Sequence, residues 1–183
     1  MLHPPNDIVI DAVANEMQRL SYYSLNVLTE NEPFDSVLRP MLGYWNSLNL
    51  GGHLPRMNDL PPNSDAARSM QSELTLIDVS DPDPTNFLIE KHRECSNVPW
   101  LGQQLENKPL VEFPCQFIFR SMATEYLGVR ELKEPRYQEA EQIIGGVTRH
   151  FVRLLLPVAD DKKNVTKILI ATRRYYDPYK LPV

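Results

Sequence analysis

The 183-residue chain has little of what marks secreted, metal-binding or membrane-spanning proteins. Its two cysteines, Cys95 and Cys115, lack the spacing of a metal-binding pair, as is typical of a chain in a reducing compartment. Its unbroken apolar runs extend over only a few residues, too short for a transmembrane helix. Residues 1–7 contain no basic segment of the kind that begins a secretory signal. We therefore expect a cytoplasmic protein without a membrane span.

The sequence also lacks the short motifs of the common enzyme classes. It contains no G-x-S-x-G, P-loop, G-x-G-x-x-G or H-E-x-x-H segment. Glu139 and Glu141 share one face of a predicted strand, where alternating acids usually face solvent. Nucleophilic catalysis needs a nucleophile and an orienting base, and no pattern supplies such a pair. We predict that the protein is not an enzyme, and an enzyme with an unrecognised site is the alternative.

Charge is distributed unevenly along the chain. Residues 1–90 carry 4 basic and 13 acidic side chains, whereas residues 91–183 carry 15 basic and 11 acidic ones. The net charge of −5 argues against a nucleic-acid partner. The asymmetry favours contact with a partner protein or with a second copy, and the alternative is that these are solvated faces.

Five segments are predicted to be strands of an antiparallel sheet. Residues 151–158 and 165–172 alternate apolar side chains with a period of two, and the polar residues between them predict a reverse turn. Gly145 and Gly146 predict a second turn, which joins residues 137–144 to this hairpin. Residues 74–79 and 87–94 are the other two strands, and no βαβ unit connects them. We expect the strand at 165–172 to be central, beside the strand at 74–79.

Helices are predicted before and between these strands. The first begins near Asp7 or Asp11 and has an apolar stripe that packs on its own domain or on a second subunit. The stripe consists of Ile10, Val13, Met17, Leu20 and Val27. A second helix begins near Pro33, buries Trp45 and ends before Gly51. Short helices follow within residues 96–134, the longest over residues 116–127.

Several segments resemble a family of small, stand-alone bacterial PAS-like proteins common in alphaproteobacteria. They are residues 42–48 (LGYWNSL), 54–55, 59–62, 74–79 and 154–161 (LLLPVADD). The match is good at residues 42–62, 74–79 and 151–172, weak over 95–135 and absent over 1–30. Met57 stands where the family usually has an arginine.

The resemblance implies an α+β fold with a PAS-like five-stranded antiparallel sheet, helices inserted between strands 2 and 3, and N-terminal helices. Residues 1–30 would form a helical extension, 31–176 the PAS-like domain and 177–183 an irregular tail. A sensory or regulatory role without an output domain follows, with a homodimer or a partner signalling protein receiving the signal. The alternative is a small-ligand carrier that uses the same cavity. The residues expected to line that cavity are His92, Trp100, Phe113, Phe117, Phe119 and Tyr126. The alternative for these side chains is that they fill the core.

Neither haem nor flavin is expected in this cavity. His92 and His150 lie on predicted strands, but no second ligand has suitable spacing for haem. The segment around Cys115 resembles the flavin-binding LOV subclass of PAS domains. Pro114 and Gln116 replace the Asn and Arg of that motif, so the side chains that would hold a flavin are missing. We expect a buried structural cysteine and identify no other cofactor.

Overall fold

An eight-stranded antiparallel sheet dominates the part of the chain that the computed structural model describes, which is residues 5–13, 16–30, 38–59, 74–91, 105–113 and 115–174. Its spatial order is β1-β2-β6-β7-β8-β3-β4-β5, and every pairing is antiparallel. The strands are β1 Asp7–Val13, β2 Glu16–Tyr23, β3 Leu74–Asp78, β4 Leu88–Lys91, β5 Lys108–Pro109, β6 Arg136–Ile144, β7 Val147–Ala159 and β8 Val165–Arg174.

Three α-helices accompany the sheet in this part of the chain. They are α1 Asn26–Glu30, α2 Leu38–Leu48 and α3 Gln116–Leu132. Single 3-10 turns are formed by Leu50–Gly52, Met57–Asp59, Pro84–Asn86 and Leu110–Glu112. None of these described helices has both the length and the apolar composition needed to cross a membrane.

Two tight turns hold the centre of the sheet together. Gly145 and Gly146 both have positive φ, at 58° and 77°, which a two-residue hairpin turn between β6 and β7 requires. Between β7 and β8, the Asp160 carboxylate accepts hydrogen bonds from the backbone N–H groups of Lys162 and Asn164, at 2.9 Å each. The polar side chain thus stabilises the turn that its sequence predicts.

The sheet lies between two layers of helix. The side covered by α3, here called the α3 face, has an apolar cluster that includes Ile77, Leu155 and Ile168. The opposite side, the α2 face, is covered by α1 and α2 and packs around Leu154 and Leu156. Because β7 contributes alternate residues to the two clusters, eight consecutive positions from 152 to 159 are buried.

Within the described part of the chain, the five predicted strands and their mutual arrangement are confirmed, and residues 92–94 of the predicted strand at 87–94 lie outside it. β8 lies between β7 and β3, with Ile77 opposite Ile168 and Leu155 opposite Ile170. The predicted helix at 116–127 is also present, and it extends to Leu132. In the second helix, Trp45 is 3 % exposed, as its apolar stripe predicts.

The fold class as a whole was predicted wrongly. The sheet has eight strands rather than the five of a PAS-like domain, because β1 and β2 extend one edge and β5 extends the other. The described part of the chain does not begin with helices either. Its first described elements are two strands, and α1 follows them.

The predicted N-terminal helix is replaced by the pair β1–β2. Ile10 lies opposite Arg19 in an antiparallel ladder, and residues 7–13 and 16–23 are strands rather than a helix. The β-branched run at residues 8–10 accounts for the difference, because such side chains favour strands over helices.

Candidate binding site between the long helix and the sheet

The α3 face is apolar on one half and polar on the other. Toward β3 and β8 it presents isoleucines such as Ile77 and Ile168. Toward β2, β6 and β7 the register instead places polar side chains side by side: Tyr22 beside Gln138, and Gln138 beside Arg153. We call the following residues the polar cluster: Gln18, Tyr22, Ser121, Glu125, Arg136, Gln138, Gln142 and Arg153.

One chain of contacts in the polar cluster is made by amides. The Gln142 Nε2 donates to Gln18 Oε1 at 2.6 Å, and Gln18 Nε2 donates in turn to the Ser121 hydroxyl on α3. Gln18 and Gln142 are 3 % and 6 % exposed. These hydrogen bonds satisfy buried amides and connect β6, β2 and α3.

A second chain of contacts converges on the buried carboxylate of Glu125 in α3. Gln138 Nε2 donates to Glu125 Oε2 at 3.1 Å, and the Tyr22 hydroxyl donates to Oε1. The Arg136 guanidinium lies 3.7 Å from Oε2 and also stacks over the Tyr22 ring, 5.9 Å from its centroid. Glu125 is therefore a paired charge, with Arg136 as its counter-ion.

Arg153 is the second cation of the polar cluster, and unlike Arg136 it contacts a neutral side chain rather than a carboxylate. It is 7 % exposed, and its NH2 donates to the neutral Gln138 Oε1 at 3.3 Å. Its Nε is buried and has no hydrogen-bond partner, and no carboxylate of a described residue forms an ion pair with it. A guanidinium buried without a counter-charge costs on the order of several kcal/mol. The site thus holds one positive charge more than its own residues neutralise.

Neighbouring tyrosines do not supply the missing negative charge. Burial raises the pKa of Tyr126 to about 12, although Arg153 acts to lower it. The pKa of Tyr22 is raised by burial and then by its hydrogen bond to Glu125. Both phenols are therefore neutral near pH 7, and neither forms an ion pair with Arg153.

The predicted cavity residues lie mostly in the apolar core beside this site. Phe113, Phe117, Phe119 and Tyr126 are all buried in the cluster under α3. Tyr126 alone among them interacts electrostatically with the polar cluster, through Arg153 and Glu125. The other two predicted residues, His92 and Trp100, lie outside the described residues.

The predicted partner stripe does not form one surface. Met17 and Leu20 lie three positions apart on β2, so they face opposite sides of the sheet, and Leu20 is buried. Ile10 and Val13 belong to β1 and Val27 to α1. The predicted helical stripe was wrong because the spacing that aligns these residues on a helix separates them on a strand.

His150 and Cys115, which were considered above as cofactor-binding side chains, lie on different elements of the fold. His150 lies on β7 and contacts Glu139 on the α2 face, away from the polar cluster. Cys115 is a free thiol at the start of α3, with its Sγ 3.9 Å from Glu16 Oε1. Among the described residues, no three His, Cys, Asp or Glu side chains are placed to hold a metal ion.

The polar cluster itself was not predicted. One signal was available: residues 138, 140, 142 and 144 share a face of β6, and glutamines alternate there with alanine and isoleucine. Amides at positions expected to be buried indicate a hydrogen-bonded interior. The cluster contains no histidine or cysteine, and the Ser121 hydroxyl in it accepts a hydrogen bond from the Gln18 amide.

Comparison with protein-family models, with curated proteins and with solved structures gives no match. The geometry of the site therefore carries the functional interpretation.

Proposed function

We propose that this chain is a regulatory protein that binds a small anionic ligand at the polar cluster and acts through contacts with another protein. The observation that carries the proposal is the buried Arg153, whose Nε is unpartnered and whose charge no described carboxylate neutralises. A buried cation without a counter-ion is stabilised by an anion that binds beside it.

A carboxylate or phosphate group is the ligand chemistry that fits best. A guanidinium offers donors in a planar fork that matches two oxygens of such an anion. Arg153 donates from NH2 to Gln138, and its buried Nε has no hydrogen-bond partner among the described residues. The neutral phenol of Tyr126 and the apolar half of the α3 face would surround the rest of a small organic anion.

The regulatory class is supported by the composition of the site and by the sequence. The polar cluster has no nucleophile with an orienting base, which favours binding without catalysis. The resemblance of residues 42–62, 74–79 and 151–172 to PAS-like proteins favours a sensory role, although the eight-stranded sheet departs from that family's fold. A cytoplasmic location belongs to the same proposal, and the free thiol of Cys115 supports it.

Anion-dependent stabilisation tests the proposal. Thermal unfolding of the full chain is measured with acetate, benzoate or inorganic phosphate, each against sodium chloride at equal ionic strength. We expect at least one of the three anions to raise the Tm saturably, since a ligand that binds only the folded state stabilises it. Arg153→Met should abolish this response without lowering the free energy of unfolding of the anion-free protein by more than about 1 kcal/mol, because it also removes a buried charge.

Arg120→Met is the matched control, since Arg120 is an exposed arginine on α3. It should leave the response to the anion unchanged. A wild-type protein that responds to none of the three anions would contradict the proposal. So would an Arg153→Met variant that keeps the full response.

A further inference from the structure

The two edges of the sheet are built very differently. At one edge, β5 is two residues long and consists of Lys108 and Pro109. Short strands, lysine and proline are devices that keep an edge from pairing with another chain. At the other edge, β1 is seven residues long, contains neither lysine nor proline, and pairs only with β2 among the described residues.

The β1 edge also exposes apolar side chains. Ile8, Val9 and Ile10 are 42 %, 45 % and 65 % exposed. A long edge with exposed β-branched residues is a template for the addition of another strand, in which backbone hydrogen bonds supply affinity. The same edge strand is joined through β2 to the polar cluster, but its own features do not depend on a ligand there.

The two faces of β1 carry different side chains. Asp7 and Asp11 lie opposite Tyr22 and Gln18, which places both carboxylates toward the α3 face. Ile8 and Ile10 point to the α2 face, and Val9 lies between the two acids on the α3 face. A strand added at this edge therefore meets two acids four positions apart on one face and two isoleucines on the other.

Pairing of β1 with β1 of a second copy is unfavourable for this pattern. An antiparallel pair centred on Val9 places Asp7 directly opposite Asp11 of the other copy, and like charges in that position are destabilising. Centring the pair on Ile10 avoids direct opposition but still collects four carboxylates on one face. A strand with cations opposite Asp7 and Asp11 meets neither problem.

We propose that the β1 edge binds an extended segment of a partner protein by strand addition. The segment carries Lys or Arg at two positions four residues apart and apolar residues on the alternating positions between them. Opposite charges and apolar cross-strand pairs then form on the two faces of the extended sheet. The inference goes beyond the proposed function, since it identifies a partner surface and holds whether or not an anion binds at Arg153.

Peptide binding by the full chain tests the inference. The probe is a fluorescein-labelled, N-acetylated peptide Gly-Lys-Ile-Thr-Ile-Lys-Gly, followed by fluorescence anisotropy, and the matched probe has Glu in place of both lysines. We expect saturable binding of the lysine peptide, weaker by about tenfold for the glutamate peptide, since two favourable cross-strand charge pairs become repulsive. N-methylation of alternate peptide amides should abolish binding, because it removes the backbone donors.

Charge reversal in the protein gives the decisive comparison. Asp7→Lys plus Asp11→Lys should exchange the preference, so that the glutamate peptide binds better by about tenfold. If circular dichroism shows that this variant does not fold, Ile8→Thr plus Ile10→Thr is tested instead, since threonine keeps the β-propensity of these positions. This variant should bind the lysine peptide more weakly than the wild type, because the apolar cross-strand pairs are removed. Equal binding of both peptides, no binding of either, or a wild-type dimer that forms through β1 would each overturn the proposal.

Discussion

The guanidinium of Arg136 lies directly against Gly128 of α3: a Cβ built on this glycine would be 2.8 Å from NH2 and 2.9 Å from NH1. No real Cβ contact is that short, so any other residue at position 128 would displace the guanidinium. Arg136 is the counter-ion of the buried Glu125. The absence of a side chain at Gly128 therefore allows the ion pair that anchors β6 to α3.

Substitution of Gly128 should separate helix propensity from this contact. In a helix interior, Gly→Ala stabilises by about 1 kcal/mol. We expect Gly128→Ala to raise the free energy of unfolding of the wild type only slightly, because the added methyl group displaces Arg136 from Glu125. In an Arg136→Ala background the same substitution should stabilise by the full amount. Urea unfolding of the four proteins measures the coupling free energy, which should be about 1 kcal/mol.

Gly43→Ala is the matched control for that cycle. Gly43 lies on α2, and a Cβ there meets no atom within 4 Å. This substitution should stabilise the protein by about 0.5–1 kcal/mol in both backgrounds. Equal stabilisation by Gly128→Ala in the two backgrounds would show that Arg136 is not held against the helix.

The centre of the sheet is predictable from the sequence because its signals are local. In residues 165–172 the apolar side chains alternate, and Asp160 begins a turn whose polar residues adjoin one another. At β1 and β2 two local signals compete. The three- and four-residue spacing of Ile10, Val13 and Met17 fits a helix, and the β-branched run at residues 8–10 fits a strand. Pairing with β6 decides in favour of the strand.

The polar cluster could not be assembled from the sequence, since its contacts are distant along the chain. Gln18 and Ser121, which share a hydrogen bond, are 103 positions apart. A glutamine or arginine on a strand also has the same local signature whether it faces water or a covering helix. Only the position of α3 makes Arg153 a buried cation.

Alkaline pH should reveal the burial of Tyr126. Its folded-state pKa is raised to about 12, above the value of about 10 in the unfolded chain. The contribution of the neutral Tyr126 side chain to the free energy of unfolding is therefore complete below about pH 10 and is lost as the pH rises toward 12. Over that interval Tyr126 should steepen the fall of the free energy of unfolding by about 1.4 kcal/mol per pH unit.

Urea unfolding of wild type and Tyr126→Phe across this pH range measures the difference in slope. Arg153→Met supplies an internal check, because Arg153 lowers the pKa of Tyr126 and its removal should shift the tyrosinate absorbance of that residue to still higher pH. Parallel pH dependences for wild type and Tyr126→Phe would mean that residue 126 titrates normally and is in contact with water.

Trp45 supports the opposite face of the sheet through its ring and its indole N–H. The side chain is 3 % exposed, and Nε1 donates to the Pro157 carbonyl at 2.9 Å. Pro157 lies on the central strand β7, where a proline is normally excluded. It is tolerated because β6 begins at Arg136, opposite Leu155, so no β6 residue is paired with position 157. The indole N–H of Trp45 therefore donates to a Pro157 carbonyl that has no hydrogen-bond partner on β6.

Two substitutions at Trp45 should separate these contributions, with a neighbouring tyrosine as the control. Trp45→Ala should lower the free energy of unfolding by about 3–5 kcal/mol, and Trp45→Phe by about 1–3 kcal/mol, because the phenyl ring fills most of the space but leaves the Pro157 carbonyl unpaired. Tyr44→Phe, one position earlier on α2, should be neutral or stabilising, since the Tyr44 hydroxyl is buried without a hydrogen-bond partner. Urea unfolding followed by circular dichroism compares the three variants. A loss below about 1 kcal/mol for Trp45→Ala would place α2 at the surface rather than in the core.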